Sequence, residues 1–238
     1  RVAAPKVCVA SWLCDVAAQF GSHPEQHWYV PLGMDHETFA LRTPLDARSI
    51  DVAMLYHPHR EKGFEVGLEA LAAIRRRRPD ARLLIFGMLD PPEIPEGIEY
   101  RQAPNHRTLA DEIYNTTRVF VQSSFHEGFG YTPVEAMACG AALVTTDNGG
   151  SRDYGIHMET AWVVPPGDAT GLADGIDALL RDDGLRIHLA TAGERHVQKF
   201  DWDHTAELLE MHLTEYRADP ARFQRPPADD AYMDQEIA

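Results

Sequence analysis

Short, unbroken runs of apolar residues recur along the central part of the chain, and segments with a helical pattern separate them. An unbroken run without polar alternation predicts a strand that is buried on both faces, as in a parallel sheet. Regular alternation of such strands with helices predicts an α/β fold, here a Rossmann-like open parallel sheet with helices on both faces. The predicted strands of this sheet are 52–56, 83–86, 98–100, 119–121, 142–145 and 162–164.

The helical segments carry apolar residues every three or four positions. One such stripe begins at Phe64 and ends before Pro79, which cannot continue a helix. At the amino end, strands at 7–10 and 28–30 flank a short helix at 12–20. The other predicted helices lie around 109–114, over 134–139, and after Asp168, Asp183 and Trp202.

These patterns divide the chain into four parts. Residues 36–200 form the alternating α/β domain, and residues 201–218 form a C-terminal helix. Residues 219–238 are polar and rich in proline, which predicts a flexible tail. Residues 1–35 hold a strand, a helix and a second brief strand before a linker. Because the chain also does not begin with Met, we expect it to be a piece of a longer protein.

The composition is that of a globular protein, with 44% hydrophobic and 25% charged residues. A net charge of −15 argues against nucleic acid or an anionic membrane surface as the main partner, although a local cluster could still bind a small anion. No apolar run is long enough for a transmembrane segment. Cys8, Cys14 and Cys139 are few and widely spaced, which predicts reduced thiols and a cytoplasmic protein.

The stretch HEGFGYTPVEAMACG, residues 126–140, places two glutamates around a glycine turn. Glu127 follows a predicted buried strand, at the carboxyl edge of the sheet, where ligands bind in open α/β folds. Gly128 and Gly130 allow the backbone to turn tightly and to approach a ligand. The start of the following helix offers backbone amides that favour phosphate.

Glu135 allows two interpretations. Residues 132–135 have the sequence Thr-Pro-Val-Glu, which matches a capping box with Pro at the first helical position. In that case Glu135 serves the helix alone. Alternatively, its carboxylate belongs to the same ligand site as Glu127.

A metal site is not predicted. His57 and His59 flank a proline near Glu61, and two imidazoles in this arrangement are poorly placed to converge on one ion. Asp201 and Asp203 flank Trp202 immediately before the last helix, where an aspartate more commonly caps the helix.

The stretch 126–140 resembles the E-x7-E signature of the family-4 retaining glycosyltransferases, which have the GT-B architecture. Four further segments are similar to that family's pattern in the same order, so the resemblance covers most of residues 51–217. It implies that the chain is the C-terminal, donor-binding half of a GT-B fold. Residues 1–35 would then be a remnant of the N-terminal acceptor domain and the interdomain linker. The four segments are EKG at 61–63, NGG at 148–150, AWVVPPGD at 161–168 and FDW at 200–202.

The resemblance also implies roles for individual residues in holding a nucleoside-diphosphate sugar. Glu127 and Lys62 would be the catalytic groups, the carboxylate beneath the sugar and the ammonium on the diphosphate. Glu135 would bind the two ribose hydroxyls. Backbone amides near Gly128 would hold the remaining donor groups, those of Phe129 and Gly130 the sugar and those of Tyr131 and Thr132 the diphosphate.

Two positions depart from the family pattern. The family usually has Gly-Arg before the EKG segment, the arginine being a second diphosphate contact, and this chain has Tyr56 and His57 there. Either His57 or the nearby Arg60 is a candidate replacement. Where the family often carries a glutamate after NGG, this chain has Asp153.

The implied function is metal-independent transfer of a sugar, with retention, from the nucleoside-diphosphate donor to an acceptor saccharide or another hydroxyl compound. No cofactor is expected. The fragment alone is expected to be inactive, because the acceptor site would lie in the missing N-terminal domain. Two alternatives stay open: a catalytically silent nucleotide-sugar-binding module, and an epimerase or phosphorylase of the same architecture. A phosphorylase would need a cofactor-bound lysine, and the chain's lysines are Lys6, Lys62 and Lys199.

Overall fold

The computed structural model describes residues 4–224, and its elements alternate as the sequence predicts. The eight strands are β1 (Lys6–Cys8), β2 (His27–Tyr29), β3 (Ile50–Leu55), β4 (Leu83–Gly87), β5 (Ile98–Gln102), β6 (Thr117–Gln122), β7 (Ala142–Thr146) and β8 (Ala161–Val164). The seven α-helices in this range are α1 (Ser11–Gln19), α2 (Phe64–Arg77), α3 (His106–Thr108), α4 (Tyr131–Ala138), α5 (Ala169–Arg181), α6 (Asp183–Val197) and α7 (Trp202–Ala218).

Strands β3 to β8 form one parallel sheet in the order β5-β4-β3-β6-β7-β8, which confirms the predicted fold class. From β3 the chain moves outward through β4 to β5. It then returns to place β6 on the other side of β3, and continues outward in the opposite direction. The carboxyl ends of β3 and β6 therefore border the topological switch point, where open α/β sheets form a crevice.

The two faces of the sheet pack against different helices. On one face, residues such as Val52 and Val121 are fully buried against α2 and α5. On the other face, the Phe120 ring meets the ring of Tyr114 edge-on, with 5.6 Å between centroids. The second face also carries α4, in which Met137 is buried. Strands β3, β4, β6 and β7 are thus largely buried on both sides, which explains why their apolar runs do not alternate.

A buried arginine joins segments beneath this second face. The Arg48 guanidinium donates hydrogen bonds to the carbonyl oxygens of Tyr114 at 3.1 Å, Thr117 at 2.8 Å and Cys139 at 2.6 Å. Burial lowers the pKa of Arg48 to about 10, so the side chain stays charged at neutral pH. The carbonyl dipoles compensate for the lost hydration of the cation.

The chain divides into two compact units. Residues 34–199 contain the six-stranded sheet, and the other unit combines the segment up to Gly33 with the segment from Phe200 onward. In the smaller unit, β1 and β2 pair in parallel, and the Trp28 ring stacks on His212 at 5.0 Å. Asp201 caps α7 by accepting the amides of Asp203 and His204, as predicted.

The predicted flexible tail begins with an ordered turn. Residues Pro220–Phe223 form a 3₁₀ helix, and Phe223 is buried against Trp28 and Tyr216. The Gln26 side chain also donates to the Phe223 carbonyl at 2.6 Å. The structure thus describes a defined turn for these four residues, because the aromatic ring of Phe223 packs against other hydrophobic residues. The rest of the predicted tail, from residue 225, lies outside the described residues.

Candidate functional site

Two loops meet at the switch point, one after β3 and one after β6. The first contains a 3₁₀ helix, Arg60–Lys62. Gly63 ends this turn with φ 59°, and a Cβ atom there would lie 2.0 Å from the Ser123 carbonyl oxygen. The Phe125 amide donates to the Glu61 carbonyl at 2.8 Å. The glycine therefore lets the two loops touch through their backbones.

Lys62 and Glu127 form an ion pair across this junction. The Lys62 ammonium lies 2.9 Å from each oxygen of the Glu127 carboxylate. The Glu127 side chain is 9% exposed, whereas that of Lys62 is 35% exposed. The structure thus brings together two residues 65 positions apart to which the sequence analysis gave separate roles on one ligand.

Two more side chains hold the Glu127 carboxylate in place. Ser124 donates its hydroxyl to Oε1 at 2.8 Å, and the Gln122 amide donates to the same oxygen at 3.3 Å. Beneath them lies a cavity of about 20 Å³, room for about one water molecule. Sequence reasoning did not identify Gln122 or Ser124. The signal was present, since polar residues directly follow the apolar run of β6 at the edge where ligands bind.

A side-chain contact between His126 and Glu61 joins the same loops beside the first ion pair. The His126 imidazole lies 2.8 Å from the Glu61 carboxylate, and both side chains are exposed. Positions 61 and 62 thus contact positions 126 and 127, respectively. This arrangement fixes the register of the loops.

Helix α4 begins earlier than predicted, and the capping-box interpretation of Glu135 is wrong. The residue before the helix is Gly130, with φ 96°, and the helix starts at Tyr131 instead of Val134. Thr132 is therefore inside the first turn and does not cap it. A left-handed glycine replaces the side-chain cap, so the first amides of α4 point toward the crevice without a capping side chain from Gly130. Such a helix start favours an anion.

Gly128 and Gly130, the two glycines of the turn, have different structural roles. A Cβ atom on Gly130 would lie 2.5 Å from the Tyr154 hydroxyl oxygen, in addition to its left-handed backbone. A Cβ atom on Gly128 would have nothing within 4 Å. Packing within the chain therefore requires Gly130 and leaves open space in front of Gly128. Between them, Phe129 is buried and its ring meets Tyr131 edge-on at 5.6 Å.

Glu135 lines a larger cavity next to the ion pair, of about 430 Å³. Its carboxylate accepts a hydrogen bond from the Tyr114 hydroxyl at 3.1 Å. Burial raises the pKa of Glu135, while the Tyr114 hydrogen bond and the nearby His106 act in the opposite direction. Mainly apolar groups form the rest of the wall, which suits the flat face of a ring. The lining residues include Pro58, Phe86, Met88, Leu89, Pro104 and Leu109.

The two cavities share part of their lining. Leu55, at the end of β3, and Thr132, in the first turn of α4, line both. The boundary between the cavities therefore lies at the amino end of α4, beside the Lys62 ammonium. A ligand that spans both cavities would place its middle at this boundary.

The structure separates the two candidate replacements for a second phosphate contact. Both residues are exposed, but His57 lines the larger cavity and Arg60 lines neither cavity. Burial and then the nearby Lys62 and His59 lower the pKa of His57, so its ring is neutral at pH 7. The His59 amide donates to Nδ1 of His57 at 3.1 Å, which leaves Nε2 to carry the proton in the neutral ring. His57 can therefore donate a hydrogen bond without adding charge.

The NGG segment supports the Glu127 loop from the other side. The Glu127 amide donates to the Asn148 carbonyl at 2.9 Å, and the Gly150 amide donates to the Glu127 carbonyl at 3.2 Å. Asp153 is buried in the 3₁₀ helix that follows. Within residues 4–224, no three His, Cys, Asp or Glu side chains are grouped so that they could hold a metal ion. None of the helices in that range could span a membrane.

The sequence of this chain matches those of proteins in a known family. The model of the group 1 glycosyl transferases matches residues 42–196. A phosphatidyl-myo-inositol mannosyltransferase of Mycobacterium tuberculosis is 33% identical over 196 residues, covering 76% of this chain and 52% of the relative. A D-inositol 3-phosphate glycosyltransferase of Corynebacterium urealyticum is 29% identical, covering 91% and 57%. The chain thus spans about half the length of the curated relatives it matches.

Solved structures show the same fold. Sucrose-phosphate synthase from Thermosynechococcus elongatus superposes with a TM-score of 0.74 at 24% identity, covering 90% of this chain and 58% of that one. The Anabaena protein HepE, solved in complex with UDP-glucose, gives a TM-score of 0.73 at 16% identity, covering 90% and 64%. Both the family match and the parallel sheet agree with one half of the GT-B architecture. The chain belongs to the group 1 glycosyl transferases.

Proposed function

We propose that this chain carries the donor site of a retaining glycosyltransferase, which transfers a sugar from a nucleoside diphosphate to a hydroxyl acceptor. One observation carries the proposal. Lys62, Glu127, the amino end of α4 and the Glu135 cavity converge at the switch point, in an order that suits the parts of a nucleotide sugar. HepE, which shares the fold, has been solved with UDP-glucose, and that likeness supports a donor of this class.

The three parts of the donor are assigned by chemistry. The apolar cavity of about 430 Å³ takes the nucleoside, with Glu135 accepting hydrogen bonds from the ribose hydroxyls. The diphosphate lies at the shared boundary, where the α4 amides and Lys62 are the nearest donors. The sugar occupies the open space in front of Gly128, within reach of Glu127.

Donor binding requires the Lys62–Glu127 pair to change partners. In the structure, the ammonium and the carboxylate neutralise each other at 2.9 Å. A bound diphosphate would draw Lys62 away, and the sugar hydroxyls would take its place on the carboxylate. Ser124 and Gln122 would keep Glu127 in position during this exchange.

The same groups would assist the chemical step. As the sugar–oxygen bond breaks, negative charge grows on the departing diphosphate and positive charge grows on the sugar ring. Lys62 and the α4 amides stabilise the first charge, and a neutral His57 adds a hydrogen bond. Glu127 stabilises the second as an electrostatic group, because its surrounding donors favour a fixed carboxylate over an attacking one. The scheme uses no metal ion.

The acceptor is assigned outside this chain. The curated relatives are about twice as long as the part matched here, and we place the acceptor site in their other half. Holding both substrates together can provide about 7 kcal/mol or more of barrier lowering. The chain alone should therefore bind the donor and transfer nothing measurable.

The test combines calorimetry and a transfer assay. UDP and GDP are titrated into the chain in the presence of a chelator, and transfer from the corresponding sugar nucleotides is assayed with and without an upstream acceptor domain. We expect chelator-resistant binding of one nucleotide, and transfer only when the acceptor domain is present. Metal-dependent binding would contradict the proposed donor site. Rapid transfer by the chain alone would contradict the assignment of the acceptor site to a region outside this chain. Binding without transfer in either format would favour the silent binding module.

A further inference from the structure

The hydrogen bond between Tyr114 and Glu135 joins a buried core residue to the wall of the nucleoside cavity. Tyr114 is fully buried and follows a one-turn π-helix, Leu109–Ile113. Its hydroxyl donates to Oε2 of Glu135 at 3.1 Å. Isolated π-turns occur frequently at functional sites, because they redirect the side chains that follow.

The phenol ring cannot easily reorient. It meets Phe86 edge-on with 5.9 Å between centroids and Phe120 with 5.6 Å. Arg48 also holds the Tyr114 carbonyl at 3.1 Å. The hydroxyl is therefore a hydrogen-bond donor held at a fixed point against the Glu135 carboxylate, which is what a flexible glutamate needs for a defined orientation.

Resting on the proposed donor site, we propose that Tyr114 is a positioning residue, whose hydroxyl occupies one oxygen of Glu135 and so presents the other to the ribose hydroxyls. Among residues 4–224, Tyr114 is the one hydrogen-bond partner of this carboxylate. A carboxylate with one oxygen occupied has its second oxygen aligned before the nucleotide arrives. This lowers the entropy lost on binding.

The arrangement also keeps Glu135 in its accepting form. Burial raises the pKa of the Tyr114 phenol well above its usual range, so the hydroxyl keeps its proton. Its hydrogen bond opposes the effect of burial on the pKa of Glu135, and His106 acts the same way. Tyr131 and Cys139 face the carboxylate as neutral groups, because burial raises the pKa of each. His57 lines the same cavity.

The competing explanation is purely structural, since a buried tyrosine needs some acceptor for its hydroxyl. Ribose preference separates the two explanations. A structural role predicts that loss of the hydroxyl weakens folding without changing the relative affinity for ribose and deoxyribose. A positioning role predicts that this relative affinity changes.

The experiment uses UDP and GDP with their 2′-deoxy counterparts, and follows whichever ribonucleotide the wild-type chain binds. We expect the wild type to prefer the ribonucleotide about tenfold, the size of one hydrogen bond to a charged group. Tyr114→Phe keeps the ring and should reduce the preference to about threefold or less. Glu135→Gln should also reduce it, and adding Tyr114→Phe to that variant should cause no further reduction, because both act through one carboxylate.

The pH dependence gives a second measurement. Binding requires ionised Glu135, so affinity for the ribonucleotide falls as pH falls through the pKa of Glu135. Without the Tyr114 hydroxyl this pKa rises further, and the loss of affinity should begin at a higher pH in Tyr114→Phe. Glu135→Gln should show no such step.

Wild type that binds neither UDP nor GDP would overturn both the donor site and this inference. Wild type that prefers ribose, with an unchanged preference and pH midpoint in Tyr114→Phe, would overturn the inference and leave the donor site intact. If Tyr114→Phe does not fold, Glu135→Asp withdraws the carboxylate from the hydroxyl. Full ribose preference and an unchanged pH midpoint in Glu135→Asp would then overturn the inference.

Discussion

The two edges of the six-stranded sheet both carry charged residues, but they use them differently. At the amino edge, Arg118 pairs with Asp51 at 3.0 Å and also with Asp183. Next to it, at the carboxyl end of α2, Arg77 pairs with Asp174 at 2.8 Å, with 39% and 57% of the two side chains exposed. At the carboxyl edge, Glu127 is 9% exposed, and its ion pair with Lys62 lines the smaller of the two cavities.

This difference indicates which charges serve folding and which serve a ligand. Exposed pairs contribute about 0–1 kcal/mol each and cost little desolvation. A nearly buried carboxylate loses its hydration, and an ion pair seldom restores that loss as stability. Burial of the Glu127 carboxylate at the carboxyl edge is therefore not explained by its contribution to folding stability. Four substitutions test the contrast, in order of decreasing effect.

Gly130→Ala should have the largest effect, on folding. The substitution forces a side chain into a backbone with φ 96° and places its Cβ 2.5 Å from the Tyr154 hydroxyl oxygen. We expect a loss of about 2–4 kcal/mol of unfolding free energy. Urea unfolding measures it. A variant as stable as the wild type would show that the turn before α4 can relax.

Lys62→Ala should weaken nucleotide binding. It removes a charge-assisted contact of about 1.5–3 kcal/mol, so we expect at least a roughly tenfold weaker affinity for the nucleoside diphosphate. The measurement is titration calorimetry on the folded variant. Unchanged affinity would show that Lys62 does not contact the phosphates. It would also remove the proposed functional difference between the two edges of the sheet.

Gly128→Ala should separate the sugar from the nucleotide. The added methyl group meets nothing within 4 Å in the chain, so unfolding free energy should stay within about 0.5 kcal/mol of the wild type. It occupies the space assigned to the sugar, so affinity for the sugar nucleotide should fall about fivefold, relative to the unsubstituted nucleoside diphosphate. Equal losses for both ligands would place the methyl group against the phosphates.

Arg77→Ala should have the smallest effect and is the matched control for Lys62→Ala. It also removes one cation from one ion pair, but at the amino edge, where both partners are exposed. We expect about 0–0.5 kcal/mol of lost stability and the same nucleotide affinity as the wild type. A large loss of affinity would mean that net charge, and not position, controls binding.

Much of the fold follows from local sequence. The inner strands β3, β4, β6 and β7 each contain an unbroken apolar run, and Asp168 and Asp201 cap α5 and α7 with their carboxylates. Glu127 was identifiable because it lies between such a run and a glycine turn. These features depend on residues that are close in sequence, so they can be predicted from local sequence patterns.

The features that sequence did not reveal depend on distant partners. Nothing near Lys62 indicates that its ammonium meets Glu127, and nothing near Tyr114 indicates that its hydroxyl meets a residue of α4. The capping box failed for another reason. Thr132 can cap a helix, but the left-handed Gly130, two residues earlier, already precedes the first turn of α4. Local propensity predicted one first residue for α4, and the geometry of the preceding loop determines a different one.

The carbonyl oxygens around Arg48 have a consequence for the order of folding. The Thr43 carbonyl is five residues away, but the other three lie 66, 69 and 91 residues away along the chain, so long loops must close before the guanidinium gains these three partners. We expect these contacts to form after the rate-limiting step, and Arg48→Leu to unfold faster while it refolds at nearly the wild-type rate. Stopped-flow kinetics can show this, and slower refolding would contradict it. On this view, Arg48 prolongs the lifetime of the native state after the sheet has formed.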